Sequence, residues 1–412
     1  MYKLLYLVRT EPDFERVNTL AIAGKDKFKQ SFIFVGQYPP FFVNGIKNQF
    51  QKYLFEKHGF KMKDLCDYDI IGIILKKFSY KKNFSVPDEI LKSRKKLFKF
   101  LIPLIFLYLF REYLELRKRK LIKKIIKKEN PDALLTDNSN ITENSPPEMF
   151  RKAALKKGIP SCIFTHGAAG DLQPWFLNPE SYNFPNYYLF LCSDVNIEKV
   201  STYRFVLGDM SASFPYLKYL HSIDNNSLSF LNERKFKIAF MQGGVFTSST
   251  NGWLVMEEII INLSDNPDVA MLIKRHPRRS IAGFERISSF NNIKVVGSET
   301  DRSRVVKWAD IVVCTDYCST IFEPMILGKK VVAVRGVHFP KYKDKHSPLE
   351  HSSVKHISSA KEFDLNSIPN ANPEDSLTNR ICWGGHGKVD LAKLFLEKVE
   401  NIIKSHNSQQ ND

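Results

Sequence analysis

A membrane-spanning helix needs about 20 consecutive apolar residues, and this chain of 412 contains no such run. Its longest apolar stretch is the eleven residues from Phe100 to Phe110, with Pro103 inside it. That length suits a buried or interfacial helix. Cysteine is sparse and scattered. The six (Cys66, Cys162, Cys192, Cys314, Cys318 and Cys382) include no C-x-x-C pair, and the spacing of Cys314 and Cys318 has no second pair to complete a zinc site. They read as free thiols of a reducing compartment. No Asp-x-Asp triplet stands in a suitable loop, so a metal-chelated nucleotide is not indicated, and neither a metal nor a resident cofactor is expected. The first ten residues lack a basic region followed by a long apolar one, and read as a first strand instead of a signal peptide. Heptads and short repeats are absent as well.

Acid is the other shortage: 44 Asp+Glu stand against 61 Lys+Arg, a formal charge of +17. Such a balance points to an anionic partner, whether nucleic acid, anionic lipid or a phosphorylated substrate. The distribution narrows the choice. Between Lys92 and Lys128 there are fourteen Lys/Arg and two acids, a net of +12. The remainder is only mildly basic, which argues against a nucleic-acid surface. Within residues 92–129 the basic residues lie beside Phe, Leu and Ile over one or two long helices. This is the pattern of a helix lying on an anionic bilayer, with Lys95, Lys96, Arg117, Lys118, Arg119, Lys120, Lys123 and Lys124 as the contacts. The alternative is a solvated basic helix whose apolar side packs on its own domain.

The length exceeds one ordinary core and suits two α/β domains. Residues 3–8 and 31–35 read as strands around a helix at 13–23. Strands at 133–136, 161–164 and 187–192 follow, with a helix at 148–157 ended by Gly158; between 37 and 91 only residues 70–75 suggest a strand. Residues 221–235 are polar and aperiodic and read as a linker. A second cycle has strands at 237–241, 270–274, 293–296, 311–314 and 331–334, with helices at 252–263, 305–309 and 320–327. This alternation predicts two Rossmann-like, doubly wound domains facing each other across a cleft. The expected division is an acceptor domain at 1–225, a nucleotide-donor domain at 233–385, and a C-terminal helix at 386–412 packing back on the first domain.

In such folds ligands bind outside the carboxyl ends of the strands, so residues just after strands carry the information. Lys274, Arg275 and His276, followed by Pro277, offer cationic donors suited to a diphosphate. Ser319 and Thr320 open a helix, where hydroxyls and bare backbone N–H groups favour an anion. Glu323, one turn on, either accepts from ribose hydroxyls or caps that helix with Ser319 or Thr320. Gly243 and Gly244 allow a backbone to approach a phosphate closely. In the first half His166 follows a strand and is a candidate base or stabiliser of the leaving phosphate, with Gly167 and Asp171 beside it for the acceptor. Glu11, Asp13 and Glu15 follow the first strand. Glu11 is the candidate general base, while helix capping and first-turn charge account equally well for Asp13 and Glu15.

The Lys-Arg-His-Pro motif at 274–277, together with Ser-Thr-Ile-Phe-Glu-Pro-Met-Ile-Leu-Gly-Lys-Lys-Val-Val at 319–332, resembles the nucleotide-binding half of capsule polysaccharide synthesis transferases. Thr315-Asp316-Tyr317 is similar to the CDP-glycerol glycerophosphotransferases and their polysialyltransferase relatives. Residues 154–167, with Gly-Ile-Pro leading into His166-Gly167, resemble the pattern closing the first domain of those families. The resemblance covers roughly residues 130–340. It implies a GT-B glycosyltransferase in which His276, Ser319 and Thr320 bind the nucleotide phosphates, although Cys318 stands where relatives often have a second serine. The donor implied is a CMP-, CDP- or UDP-linked sugar. The acceptor would be a glycan or lipid-linked glycan of a capsule or lipopolysaccharide, built by a cytoplasmic enzyme peripheral on the inner face of the cell membrane, with no nucleic acid involved. Alternatives on the same scaffold are a CDP-glycerol-type polyol-phosphate transferase and a sugar-nucleotide 2-epimerase; a non-catalytic glycan-assembly subunit is a third.

Overall fold

The computed structural model describes residues 1–9, 11–35, 49–68, 113, 116–137, 145–164, 186–191, 204–206, 228, 230–242, 252–275, 287–297, 299–315, 319–335, 353–374, 385–387 and 389–411. Short apolar runs such as Leu4–Val8 and Val331–Val334 have no polar face to offer water. They are stable as strands only where helices cover both sides of a parallel sheet. Two such sheets form. The first joins β1 (Lys3–Val8), β2 (Lys29–Phe34), β3 (Met62–Asp64), β4 (Ala133–Asp137), β5 (Ser161–Phe164), β6 (Tyr187–Leu191) and β7 (Arg204–Val206) in the order β3-β2-β1-β4-β5-β6-β7. The second joins β8 (Phe236–Met241), β9 (Val269–Lys274), β10 (Ile293–Val296), β11 (Ile311–Thr315), β12 (Lys330–Val334) and β13 (Val354–Ile357) in the order β10-β9-β8-β11-β12-β13. Every strand pair in both sheets is parallel.

Helices cover the faces. The first sheet carries α1 (Glu11–Ala23), α2 (Gln49–Lys57), α3 (residues 116–129) and α4 (Pro146–Leu155). The second carries α5 (Gly252–Leu263), α6 (Arg302–Trp308) and α7 (Phe322–Ile326), and the chain ends in α8 (Leu391–Asn411). Local chemistry sets several boundaries. Ser145 caps α4 by accepting from the Glu148 N–H, with Pro146 and Pro147 opening the helix. Asp301 caps α6 by accepting from the Ser303 N–H at 3.0 Å. Gly158 and Gly328 both sit at φ +67, a left-handed conformation that glycine adopts without a Cβ clash. After α7 this lets the Lys329 N–H turn back to the Pro324 carbonyl at 2.9 Å before β12 begins.

Alternate residues divide the cores by face. Leu4, Tyr6 and Val8 of β1 pack with Phe14, Val17 and Leu20 of α1 and with Phe395, Leu396 and Val399 of α8. Leu5 and Leu7 face the other way, against Leu121, Ile122, Ile125 and Ile126 of α3 and Phe150 of α4. In the second sheet Ile238, Phe240, Met271 and Ile273 pack with Met256, Ile259 and Ile260 of α5. The C-terminal end of α3 is seated by Glu129, which accepts from Ser31 Oγ at 2.9 Å and Tyr68 Oη at 3.0 Å and lies 3.3 Å from Lys3 Nζ. Burial alone would raise this carboxyl. The two hydroxyl donors and the charges of Lys63 and Lys3 reverse that and hold it down at about 2.

Candidate functional site

A doubly wound sheet opens a crevice where its strand order reverses, because the loops leaving the two strands there diverge to opposite faces. In the first sheet that point lies between β1 and β4, and in the second between β8 and β11. From the first sheet come Arg9, after β1, and Asp137, which ends β4; the guanidinium stands 4.0 Å from the carboxylate. From the second come Gln242, Lys274 with Arg275, and Thr315, at the ends of β8, β9 and β11. Thr320 and Glu323 follow in the 3-10 turn Ser319–Ile321 and in α7, and both are buried.

The cations have defined seats. Lys274 is buried, and its ammonium donates to the Gly297 carbonyl at 2.9 Å and to the Arg275 carbonyl at 3.4 Å. It ties the end of β9 to the segment leaving β10. The Arg275 N–H extends the same ladder by donating to the Val296 carbonyl at 3.1 Å. The Thr315 hydroxyl is buried and makes no hydrogen bond among the described residues.

Glu323 is 2% exposed. Its carboxylate meets a partner that sequence alone did not supply. Arg302, the first residue of α6, donates from Nε to Glu323 Oε2 at 2.7 Å and from Nη2 to Glu15 Oε2 at 3.2 Å. No side chain caps α7 at Ile321. Glu15 belongs to α1, so one guanidinium joins α1, which packs on the first sheet, to α7 beside the second. Burial is the main reason the Glu15 carboxyl is pushed up to about 7; Asp301 and Glu323 add repulsion, while Arg302 and Arg16 pull it back. Burial also raises the Asp301 carboxyl, against the N–H of Ser303.

Of the residues singled out from sequence, Lys274, Arg275, Thr320 and Glu323 stand at the ends of β9 and β11 or one turn beyond. Glu11 opens α1 and Ser319 opens the 3-10 turn, with side chains outside the described set. His166, Gly167, Asp171, Gly243, Gly244, His276, Lys95 and Lys96 also lie outside the described residues, as do residues 70–75. In α3, Arg119, Lys120, Lys123 and Lys124 are exposed and Arg117 is half-buried. Lys118 is buried, so it does not join the exposed basic face, and the helix's apolar side packs on the first sheet. Among the described residues no helix is long and apolar enough to cross a membrane, and no group of His, Cys, Asp or Glu is arranged to hold a metal.

Two α/β sheets in series, with facing switch points and a C-terminal helix returning to the first sheet, define the architecture. It is the GT-B fold. No family model and no curated protein matches the chain, but solved structures do. S. aureus MnaA with UDP aligns at a TM-score of 0.59 with 12% identity, over 99% of this chain and 97% of that one. The UDP-GlcNAc 2-epimerase of Neisseria meningitidis bound to UDP-GlcNAc aligns at 0.57 with 11% identity, over 97% and 100%. The Methanocaldococcus jannaschii UDP-GlcNAc 2-epimerase, in complex with UDP-GlcNAc and UDP, aligns at 0.55 with 14% identity, over 97% and 99%.

Sequence reasoning did not single out Arg302, Arg9 or Asp137. Arg9 was accessible by the rule that located Lys274, since it too follows a buried strand. Arg302 was hidden because the helix reads from sequence as starting at Val305. The sign of the earlier start was Asp301, an N-cap two residues before the serine whose N–H it accepts.

Proposed function

We propose that the protein is a nucleotide-sugar enzyme that moves a sugar from a UDP-linked donor to a glycan acceptor, with the nucleotide held by the second domain. The observation that carries this reading is Glu323, buried in the first turn of α7 and held by Arg302, which also meets Glu15 of α1. A carboxylate so placed suits the two hydroxyls of a ribose, and the cationic ends at Lys274 and Arg275 suit its phosphates. The order of the donor classes is supported by neighbours solved with UDP and UDP-GlcNAc. His276, Ser319 and Thr320 complete the phosphate site in this proposal. Glu11 or His166 serves as the base, with Gly167 and Asp171 toward the acceptor.

Melting the full chain with UDP, CDP, CMP and GDP tests it. A ligand at a hundredfold excess over its dissociation constant stabilises the folded state by about 2.7 kcal/mol. UDP is expected to raise the midpoint, and Glu323→Ala to remove the rise. No shift with any nucleotide would sink the proposal.

A second reading, sugar-nucleotide 2-epimerase, is favoured by those same neighbours and by the burial of the apolar side of α3, which weakens the case for a bilayer-bound transferase. Proton NMR of UDP-GlcNAc separates the two. Epimerisation proceeds without acceptor, whereas transfer releases UDP only when an acceptor is added.

The exposed Arg119, Lys120, Lys123 and Lys124, beside Tyr113 at 48% and Leu116 at 58% exposure, support a further proposal: the enzyme docks on the anionic inner face of the membrane by charge, not by insertion of α3. Sedimentation with vesicles containing phosphatidylserine should then fall steeply between low and high salt, since screening removes such attraction. Salt-independent binding would refute it.

A further inference from the structure

Arg302 lies in neither the acceptor side nor the phosphate side of the proposed site, yet it touches both domains. Its Nε contact to Glu323 is short, at 2.7 Å, and its Nη2 contact to Glu15 spans 287 positions of sequence at 3.2 Å. The guanidinium is planar and rigid, so a carboxylate bound at Nε and another at Nη2 are held at fixed angles to each other. All three side chains are largely withdrawn from water, at 21% exposure for Arg302, 17% for Glu15 and 2% for Glu323. Charge-assisted hydrogen bonds are stronger there than on a surface.

We infer that Arg302 is a positioning residue: it orients the Glu323 carboxylate toward the ribose and makes that orientation depend on the seating of α1, through Glu15. The inference rests on the nucleotide reading for its ligand, but the mechanical coupling between α1 and α7 does not. With Glu15 in place, Arg302 is pinned and Glu323 holds one rotamer. When the first domain moves away, Arg302 loses one anchor and Glu323 loses its fixed direction. Nucleotide affinity and domain closure are then linked, each favouring the other.

The charged groups around Glu15 are Arg302 and Asp301 from the start of α6, Glu323 from α7 and Arg16 from α1 itself. The ion pair requires ionised Glu15, which titrates near neutrality. The coupling is therefore stronger at pH 8 than at pH 6. Global stability runs the other way. A carboxyl raised in the folded state binds protons there that the unfolded chain has already lost, so stability falls as pH rises from about 4.5 toward 7.

Two measurements on the full chain test this. Hydrogen exchange without nucleotide, corrected for intrinsic rate, is expected to show less protection of α1 and α7 together in Arg302→Gln. Glu15→Gln should loosen α7 despite lying in the other domain, and Arg302→Lys should restore protection only in part. Unchanged α7 exchange in folded Arg302→Gln or Glu15→Gln overturns the coupling. UDP titration is expected to give about tenfold weaker binding in Arg302→Gln, equivalent to about 1.4 kcal/mol. Glu15→Gln should flatten the dependence of UDP affinity on pH between 6 and 8. Wild-type affinity in Arg302→Gln overturns the positioning role. If the wild type binds no nucleotide, the nucleotide reading fails, and with it the ribose orientation, while the exchange result still decides the coupling.

Discussion

Phe395→Ala is expected to destabilise the protein by about 3–5 kcal/mol, the range for emptying a buried aromatic site. Phe395 is fully buried on α8, near the end of the chain, and yet packs on the first sheet. Its ring centroid lies 4.3 Å from that of Phe190 in β6 and 6.3 Å from that of Phe164 in β5. The neighbours cannot close over the gap, because Leu391, Leu396 and Val399 of the same helix are themselves buried against α1 and β1. The fit of α8 on α1 is equally tight: a Cβ placed on Gly24 would meet Leu396 Cδ1 at 3.0 Å. Thermal unfolding followed by circular dichroism should show the midpoint falling by roughly 6–20 °C, taking a unit of about 200 residues. A loss below about 1 kcal/mol would mean that α8 is not docked in solution. Since α8 braces the helix that carries Glu15, the variant should also lose part of the protection of α7.

The central strands were legible because their environment is simple. β4, β9 and β11 are buried along their whole length, and a strand covered on both faces shows as an unbroken apolar run. The edges were not. β3 is Met-Lys-Asp and β13 is Val-Lys-His-Ile; both carry polar side chains at half-buried positions, and neither produces a pattern. α2, with the polar sequence Gln-Phe-Gln-Lys-Tyr-Leu-Phe-Glu-Lys, was missed for a similar reason. Lys274 and Glu323 were singled out because they end or follow a buried strand. The contacts of Arg302 with Glu323 and Glu15 were not, since ion pairs between residues so far apart in sequence have no periodic signature. The basic helix divided the same way. Its charge was visible in the sequence, which left a bilayer and its own domain both open as the partner of its apolar side; for α3 that partner is the first sheet.

Arg151→Ala should cost about 3–5 kcal/mol, the penalty for stranding one member of a buried ion pair. Arg151 is fully buried in α4, with Nε 2.9 Å from Oε2 of Glu148, itself 3% exposed. The guanidinium carbon also lies 5.9 Å from the centroid of the Tyr187 ring. None of its three nitrogens makes an aligned hydrogen bond among the described residues, so the ion pair and the ring must together offset the desolvation of a whole guanidinium. Removing the arginine leaves the Glu148 carboxylate in the same dry site beside Tyr187, whose hydroxyl burial and Glu148 already hold in its protonated form. Removing both charges has the opposite sign. Arg151→Met with Glu148→Leu conserves the volume, keeps the backbone cap from Ser145 to the N–H of residue 148, and eliminates both desolvation costs. That double variant should match the wild type or exceed it by about 1–4 kcal/mol. Urea unfolding of the two single variants and the double variant closes the cycle. A double variant as unstable as Arg151→Ala would mean that the loss comes from the shape of the arginine stem against Tyr187, not from an uncompensated charge.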